Sequence, residues 1–207
     1  MEQIEYMEQT EASEALILAA AIGDIKGMAE ALRNGADINT IGRKELDQTP
    51  LQVALSQDQE EAALFLLNKS SININITNRR GETALHIAAQ HRHLNAIKIL
   101  IYLGANVNAQ DRKGNAPLHA AINGDRSYEY ITDTPDTAYE KVIKKLLKVG
   151  ADVSIRNKDN KTPQEYAVQL AAQGYPYAQF IAQLLKNMNF SITIQTQIKQ
   201  LRTNSKR

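Results

Sequence analysis

Apolar residues in this chain fall in short clusters that come in pairs. Leu85, Ile87, Ala88 and Ala89 make one cluster, and Ile97, Ile99, Leu100 and Ile101 make the next. The spacing predicts helical segments, each too short to be stable alone in water. Gly104 follows the second cluster, where a chain leaving a helix commonly needs positive φ. Matching apolar positions occur at Leu64, Leu66 and Leu67, at Ile143, Leu146 and Leu147, and at Ile181, Leu184 and Leu185. A pair of such helices cannot bury its own apolar face, so neighbouring pairs must stack into an elongated all-α solenoid. Ala88, Ala89, Ala120 and Ala121 suit close packing of one helix on the next.

Two markers recur in phase with these clusters. Thr83-Ala84-Leu85-His86-Ile87-Ala88 returns as Ala116-Pro117-Leu118-His119-Ala120-Ala121, 33 residues later, and Thr49-Pro50-Leu51-Gln52-Val53-Ala54 lies 34 residues earlier. Weaker copies begin at Glu14 and Thr162. Gly35-Ala36-Asp37-Ile38-Asn39, Gly104-Ala105-Asn106-Val107-Asn108 and Gly150-Ala151-Asp152-Val153-Ser154 form the second marker, with a degraded copy from Ser71 to Asn75.

These residues resemble the ankyrin repeat, whose Thr-Pro-Leu-His and Gly-Ala-Asp-x-Asn segments stand at this spacing. The resemblance covers roughly residues 13–189 and implies about five stacked helix–turn–helix units with hairpin fingers, in one domain. Helix pairs are expected to begin near residues 13, 49, 83, 116 and 162. Fingers are expected around 35–47, 71–81, 104–114 and 150–160. Residues 1–12 form an N-terminal lead. Residues 190–207 form a capping tail, in which Ile194, Ile198 and Leu201 recur at helical spacing after Ser191. Divergence of the first and last copies fits terminal repeats, which face water on one side.

Composition narrows the function. The 207 residues are 43% hydrophobic and 23% charged, with a formal net charge of +1, which gives no bulk field for nucleic acid or anionic membrane. Cysteine is absent, removing disulfides, thiol catalysis and thiolate zinc sites. Met1-Glu2-Gln3-Ile4-Glu5 carries acid where a secretory signal would place base, and the apolar stretch from Ile97 to Leu103 is far short of a membrane span. The expected location is cytoplasmic. Acids gather at the start of the chain and bases at its end, as solvated tails or as contact surfaces.

Two features stand apart from the repeat. Gly104 and Gly150 lie 46 residues apart, 13 more than the repeat, which places an insertion near 126–138 within the fourth unit. It carries Tyr128, Tyr130 and Asp133, and tyrosine offers a large contact area at small entropic cost. The loop is either a binding element or a tolerated insertion, since closure entropy grows slowly with length. The second feature is paired bases in the connections between units: Arg43-Lys44, Arg79-Arg80, Arg112-Lys113, and Lys158 near Lys161. The resemblance places them near the finger tips, aligned along one edge, either as a partner-binding surface or as solvated family background.

Catalytic chemistry finds no support. There is no phosphate-binding glycine loop, nucleophile elbow or kinase signature, and no cofactor is expected. The resemblance gives His86 and His119 the role of tying neighbouring loops together by hydrogen bonds. Treated as one helix, His86, His91 and His93 point in different directions, so no metal site is expected. The reading is a non-enzymatic, monomeric scaffold binding another protein through its concave face, finger edge and inserted loop. One alternative is a regulatory or targeting subunit with the tyrosine loop as effector. An AT-rich codon bias, suggested by the many Gln, Asn, Ile and Lys, adds by analogy a bacterial protein exported to act on host proteins. An enzyme with its site on the loop is the remote alternative.

Overall fold

Local chemistry explains where the helices start. Thr49 and Thr162 hold extended backbone, and their hydroxyls accept the amides of Gln52 and Glu165 at 3.3 Å each. Gln52 and Glu165 reach back to accept the Thr49 and Thr162 amides at 3.0 and 2.8 Å. These reciprocal caps satisfy amides that a helix start would otherwise leave bare. Pro50 and Pro163 follow at the position where a missing N–H costs nothing.

The computed structural model describes residues 2–42, 47–124, 137–175 and 178–187. Among these, all regular structure is helical: α1 (Glu2–Ile22), α2 (Ile25–Arg33), α3 (Pro50–Ser56), α4 (Glu60–Leu67), α5 (Ala84–Gln90), α6 (Leu94–Tyr102), α7 (Pro117–Asn123), α8 (Thr137–Lys148), α9 (Pro163–Ala172) and α10 (178–187). Four of the five expected helix-pair starts agree to within a residue. The first does not, because α1 begins about three turns before residue 13. Residues 2–22 contain neither glycine nor proline, so nothing interrupts the helix before Gly23. Ser13 is interior to it and accepts the Asp37 amide at 3.0 Å instead of capping a start.

The odd-numbered helices α1, α3, α5, α7 and α9 touch in succession as one row, and α2, α4, α6 and α8 form a second. Leu16, Leu51, Leu85 and Leu118, at equivalent repeat positions of the first row, are all fully buried. Met28, Leu66, Leu100, Ile143 and Leu146 meet them from the second row, and the same apolar cluster continues to Ile181 and Leu185 of α10. Each buried side chain of this size contributes about 1.5–3 kcal/mol relative to exposure. Ala88, Ala89 and Ala121 lie in the core as expected, whereas Ala120 is partly exposed on the side facing the fingers.

Between the helix pairs the chain runs out in fingers that stack on one another. The Arg112 amide donates to the Arg80 carbonyl, and the Lys158 amide to the Lys113 carbonyl, both at 2.8 Å. This contact explains Gly81 and Gly114. Both have positive φ (76° and 75°), and a Cβ on Gly81 would lie 2.8 Å from the Arg112 nitrogen. Gly104 also has positive φ (89°), but its Cβ would meet open space.

The two glycines therefore separate backbone strain from finger packing. Gly104→Ala is expected to cost about 1–2 kcal/mol, the left-handed penalty alone. Gly81→Ala carries the same penalty plus displacement of the next finger, and urea unfolding should show it clearly the more destabilised of the two. Equal losses would mean that the finger stack carries little of the stability.

Candidate functional site

Each finger tip is folded by one side chain at its root. The Asn78 oxygen accepts the amides of Arg80 and Glu82 at 2.9 and 3.0 Å. Asp111 accepts those of Lys113 and Asn115, both at 2.8 Å, and Asn157 those of Asp159 and Lys161 at 3.1 and 3.0 Å. The three tips share this turn, so their basic residues come into register. Arg79, Arg80, Arg112 and Lys113 all line a single groove of about 500 Å³. Lys158 lies on the next finger, joined to this group through the Lys113 carbonyl.

The opposite wall comes from the first-row helices. His119, Ala120 and Asn123 of α7 and Tyr166 of α9 face the same groove. The Tyr166 hydroxyl donates to the Asn123 side-chain oxygen at 3.0 Å. The groove also contains acids, but two of them are engaged within their own fingers. Glu82 accepts the Asn78 amide group at 2.7 Å, and Asp111 shapes its turn. Arg79 is paired to Asp47 of the preceding finger through two bonds of 3.0 and 3.1 Å. Among the described residues Arg80, Arg112 and Lys113 form no ion pair. Of the other residues singled out by the sequence, Arg43, Lys44, Tyr128, Tyr130 and Asp133 lie outside the described residues.

Buried polar side chains on the first-row helices fix the fingers in place. Gln52 donates to the carbonyls of Ile76 and Glu82 at 2.8 and 3.1 Å. His86 and His119 hold the equivalent positions, with Nε2 at 3.0 Å from the Asn115 carbonyl and 3.1 Å from the Lys161 carbonyl. Nδ1 of each ring accepts a backbone amide, of Thr83 and Ala116 respectively, both at 3.2 Å. That arrangement requires the proton on Nε2 and a neutral ring. Burial holds both imidazoles below their ordinary value of 6.5. The loop-tying role implied by the resemblance is thus present in the geometry.

His91 and His93 do not behave as one helix would place them. They lie in the turn between α5 and α6, with His91 ending one helix and His93 beginning the other. Their rings stack in parallel, with centroids 6.0 Å apart. Asp58, in the turn between α3 and α4, lies 3.1 Å from His91 Nδ1 and 3.3 Å from His93 Nε2. The helical projection fails across a turn. Asp58 stands 33 residues before His91, within one residue of the 34-residue spacing between these two units, and that near-match to the repeat is the sequence signal for their contact.

Comparison with known proteins bears on the whole arrangement. A family model of ankyrin repeats in three copies matches residues 71–133, and a single ankyrin-repeat model matches residues 113–158. An ankyrin repeat protein of fowlpox virus, FPV031, is 26% identical over 195 residues, covering 92% of this chain. The mouse neurogenic locus notch homolog protein 1 is 34% identical over 129 residues, or 60% of the chain, and human notch homolog protein 2 is 36% identical over 98 residues, or 47%. The chain spans 53% of the fowlpox protein and 4% of each notch protein.

The neutral histidines set a pH dependence. The unfolded chain takes up protons near pH 6.5, whereas the buried rings of the folded chain resist them. Their stabilising contribution is therefore complete above about pH 6.5 and declines as pH falls from there toward the lowered folded values. The melting temperature should be higher at about pH 7.5 than at about pH 5.5. Replacing His86 and His119 together with Gln, the residue that Gln52 shows to fit this position, should remove at least half of that difference. A pH profile unchanged by the double substitution would contradict the assignment.

Proposed function

The chain is an ankyrin-repeat protein, and from this premise we propose that it docks another protein in the groove formed by its second, third and fourth fingers and the helices behind them. Ankyrin repeats generally mediate protein–protein interaction. No helix among the described residues is long and apolar enough to cross a membrane. The observation that carries the finer reading is the register of Arg80, Arg112 and Lys113, cations without ion-pair partners among the described residues, on one wall of a 500 Å³ groove. The occupant with matching chemistry is an acidic segment of a partner protein. Tyr166 and Ala120 on the facing wall would cover its apolar side chains.

The scaffold suits this task because it is already ordered. Stacked fingers and helices give up little conformational freedom on binding, so more of the contact energy remains as affinity. The protein acts as a monomeric, non-catalytic scaffold in the cytoplasm in this reading. The inserted loop is included in the proposal on sequence grounds alone, since it lies between α7, which supplies Asn123 to the groove wall, and α8. Its Tyr128, Tyr130 and Asp133 are proposed as further contacts to the partner.

Charge reversal tests the groove. Changing Arg79, Arg80, Arg112 and Lys113 to Glu should abolish capture of the partner while circular dichroism stays unchanged. Binding by the unaltered protein should weaken steeply with salt, since exposed charges are screened beyond about 8 Å at physiological ionic strength. Unchanged affinity after reversal would leave the finger bases as solvated background. A second variant tests the loop. Removing residues 127–136 should change stability by about 1 kcal/mol or less, because the loop closes a short gap between two helices. Capture should nevertheless fall. A large loss of melting temperature would identify the loop as part of the scaffold instead.

A further inference from the structure

We propose that Asp58, His91 and His93 form a binding site for a divalent transition-metal ion of the zinc class, which clips the second helix pair to the third. The three ligand atoms, one carboxylate oxygen and two ring nitrogens, lie within 4.8 Å of one another. The separations from Asp58 Oδ1, 3.1 Å to His91 Nδ1 and 3.3 Å to His93 Nε2, are informative. A tetrahedral ion with bonds of about 2.0–2.1 Å to nitrogen and oxygen holds its ligand atoms about 3.3 Å apart. Both separations from the carboxylate thus match such an ion, and the two ring nitrogens lie within 4.8 Å of each other.

The backbone adds a second indication. Asp58 occupies a left-handed position (φ 56°), which glycine fills with less strain. There it carries a carboxylate to two imidazoles of the next repeat. Burial is graded from the exposed Asp58 through His91 to the buried His93, so the site is open to solvent on one side and backed by protein on the other. Arg92, between the two histidines in sequence, reaches the following repeat, its guanidinium lying 4.5 Å from the centre of the Tyr139 ring.

His93 sets the condition for binding. Its Nε2 also lies 3.0 Å from the Leu55 carbonyl, to which it donates when no ion is bound. For Nε2 to bind an ion, the ring proton must move to Nδ1. The Leu55 oxygen then loses its donor, a cost that the metal bonds must offset. Two imidazoles with one carboxylate select zinc and its neighbours, copper and nickel, over magnesium and calcium, which favour oxygen alone. The site lies on the helix–helix turns and shares none of its residues with the groove, so it stands independently of the docking function.

Zinc chloride titrated calorimetrically into the untagged full chain provides the test, with the histidine rings followed by NMR. One ion per chain is expected, with a dissociation constant of about 20 μM or tighter. Shifts should be confined to the His91 and His93 rings, leaving His86 and His119 unmoved. Asp58→Asn and His91→Gln should each weaken binding about tenfold or more. Both changes lie at turns and leave the His93–Leu55 bond intact, and thermal melts in chelator confirm that the variants fold. Weaker binding by the unaltered chain, a smaller loss in either variant, or shifts at His86 or His119 would overturn the proposal.

Discussion

One buried contact governs the arrangement of this protein: a polar side chain on each of α3, α5 and α7 holds the finger that follows. Gln52, His86 and His119 are almost completely buried, and each donates to carbonyls at the root of the following finger. A carbonyl left without a partner at such a place would cost about 1–3 kcal/mol, so the bond fixes the finger's position more than it adds net stability. With the root fixed, the Asn78, Asp111 and Asn157 turns follow, and the tips stack amide to carbonyl. Apolar burial in the two helix rows supplies the main driving force, but it does not by itself aim the fingers.

That hierarchy links the scaffold to its proposed use. Basic residues on neighbouring loops usually diverge, and a groove arises here because identical turns repeat on a common spacing. Arg80, Arg112 and Lys113 share a wall as a consequence of Asn78 and Asp111, whose oxygens hold the turns from within. The acids nearby, Glu82, Asp111 and Asp159, keep their charge but form no ion pair with Arg80, Arg112 or Lys113 among the described residues. Glu82 and Asp111 are occupied by the architecture, while Arg79 alone is tied to an acid of the preceding finger. Net charge near zero thus coexists with a local basic wall.

Periodicity made most of the fold legible before any coordinates. Thr49, Thr83 and Thr162 mark helix starts because a cap is a local chemical event, written in residues that are neighbours in sequence. The start of α1 was hidden because it lacks such a marker: the weak copy of the repeat begins at Glu14, well inside the helix, and the neighbouring Ser13 hydroxyl serves the Asp37 amide. The finger bases could be placed along one edge, but not sorted into paired and unpaired, since the Arg79–Asp47 bond joins residues 32 positions apart. His91 and His93 were misread for a different reason. A helical projection carried across residues 91–93 separates rings that the turn brings together, and Asp58 becomes visible only when the repeat itself is used as the ruler.

The state of the two slot histidines tests the central contact most directly. Ring-nitrogen NMR at neutral pH should show His86 and His119 neutral, with the proton on Nε2 and Nδ1 bare, since a backbone amide already occupies Nδ1. Both rings should still be mostly neutral at pH 6.5, where an ordinary imidazole is half charged. A proton on Nδ1, or a charged ring at that pH, would mean that the fingers are not held by these bonds.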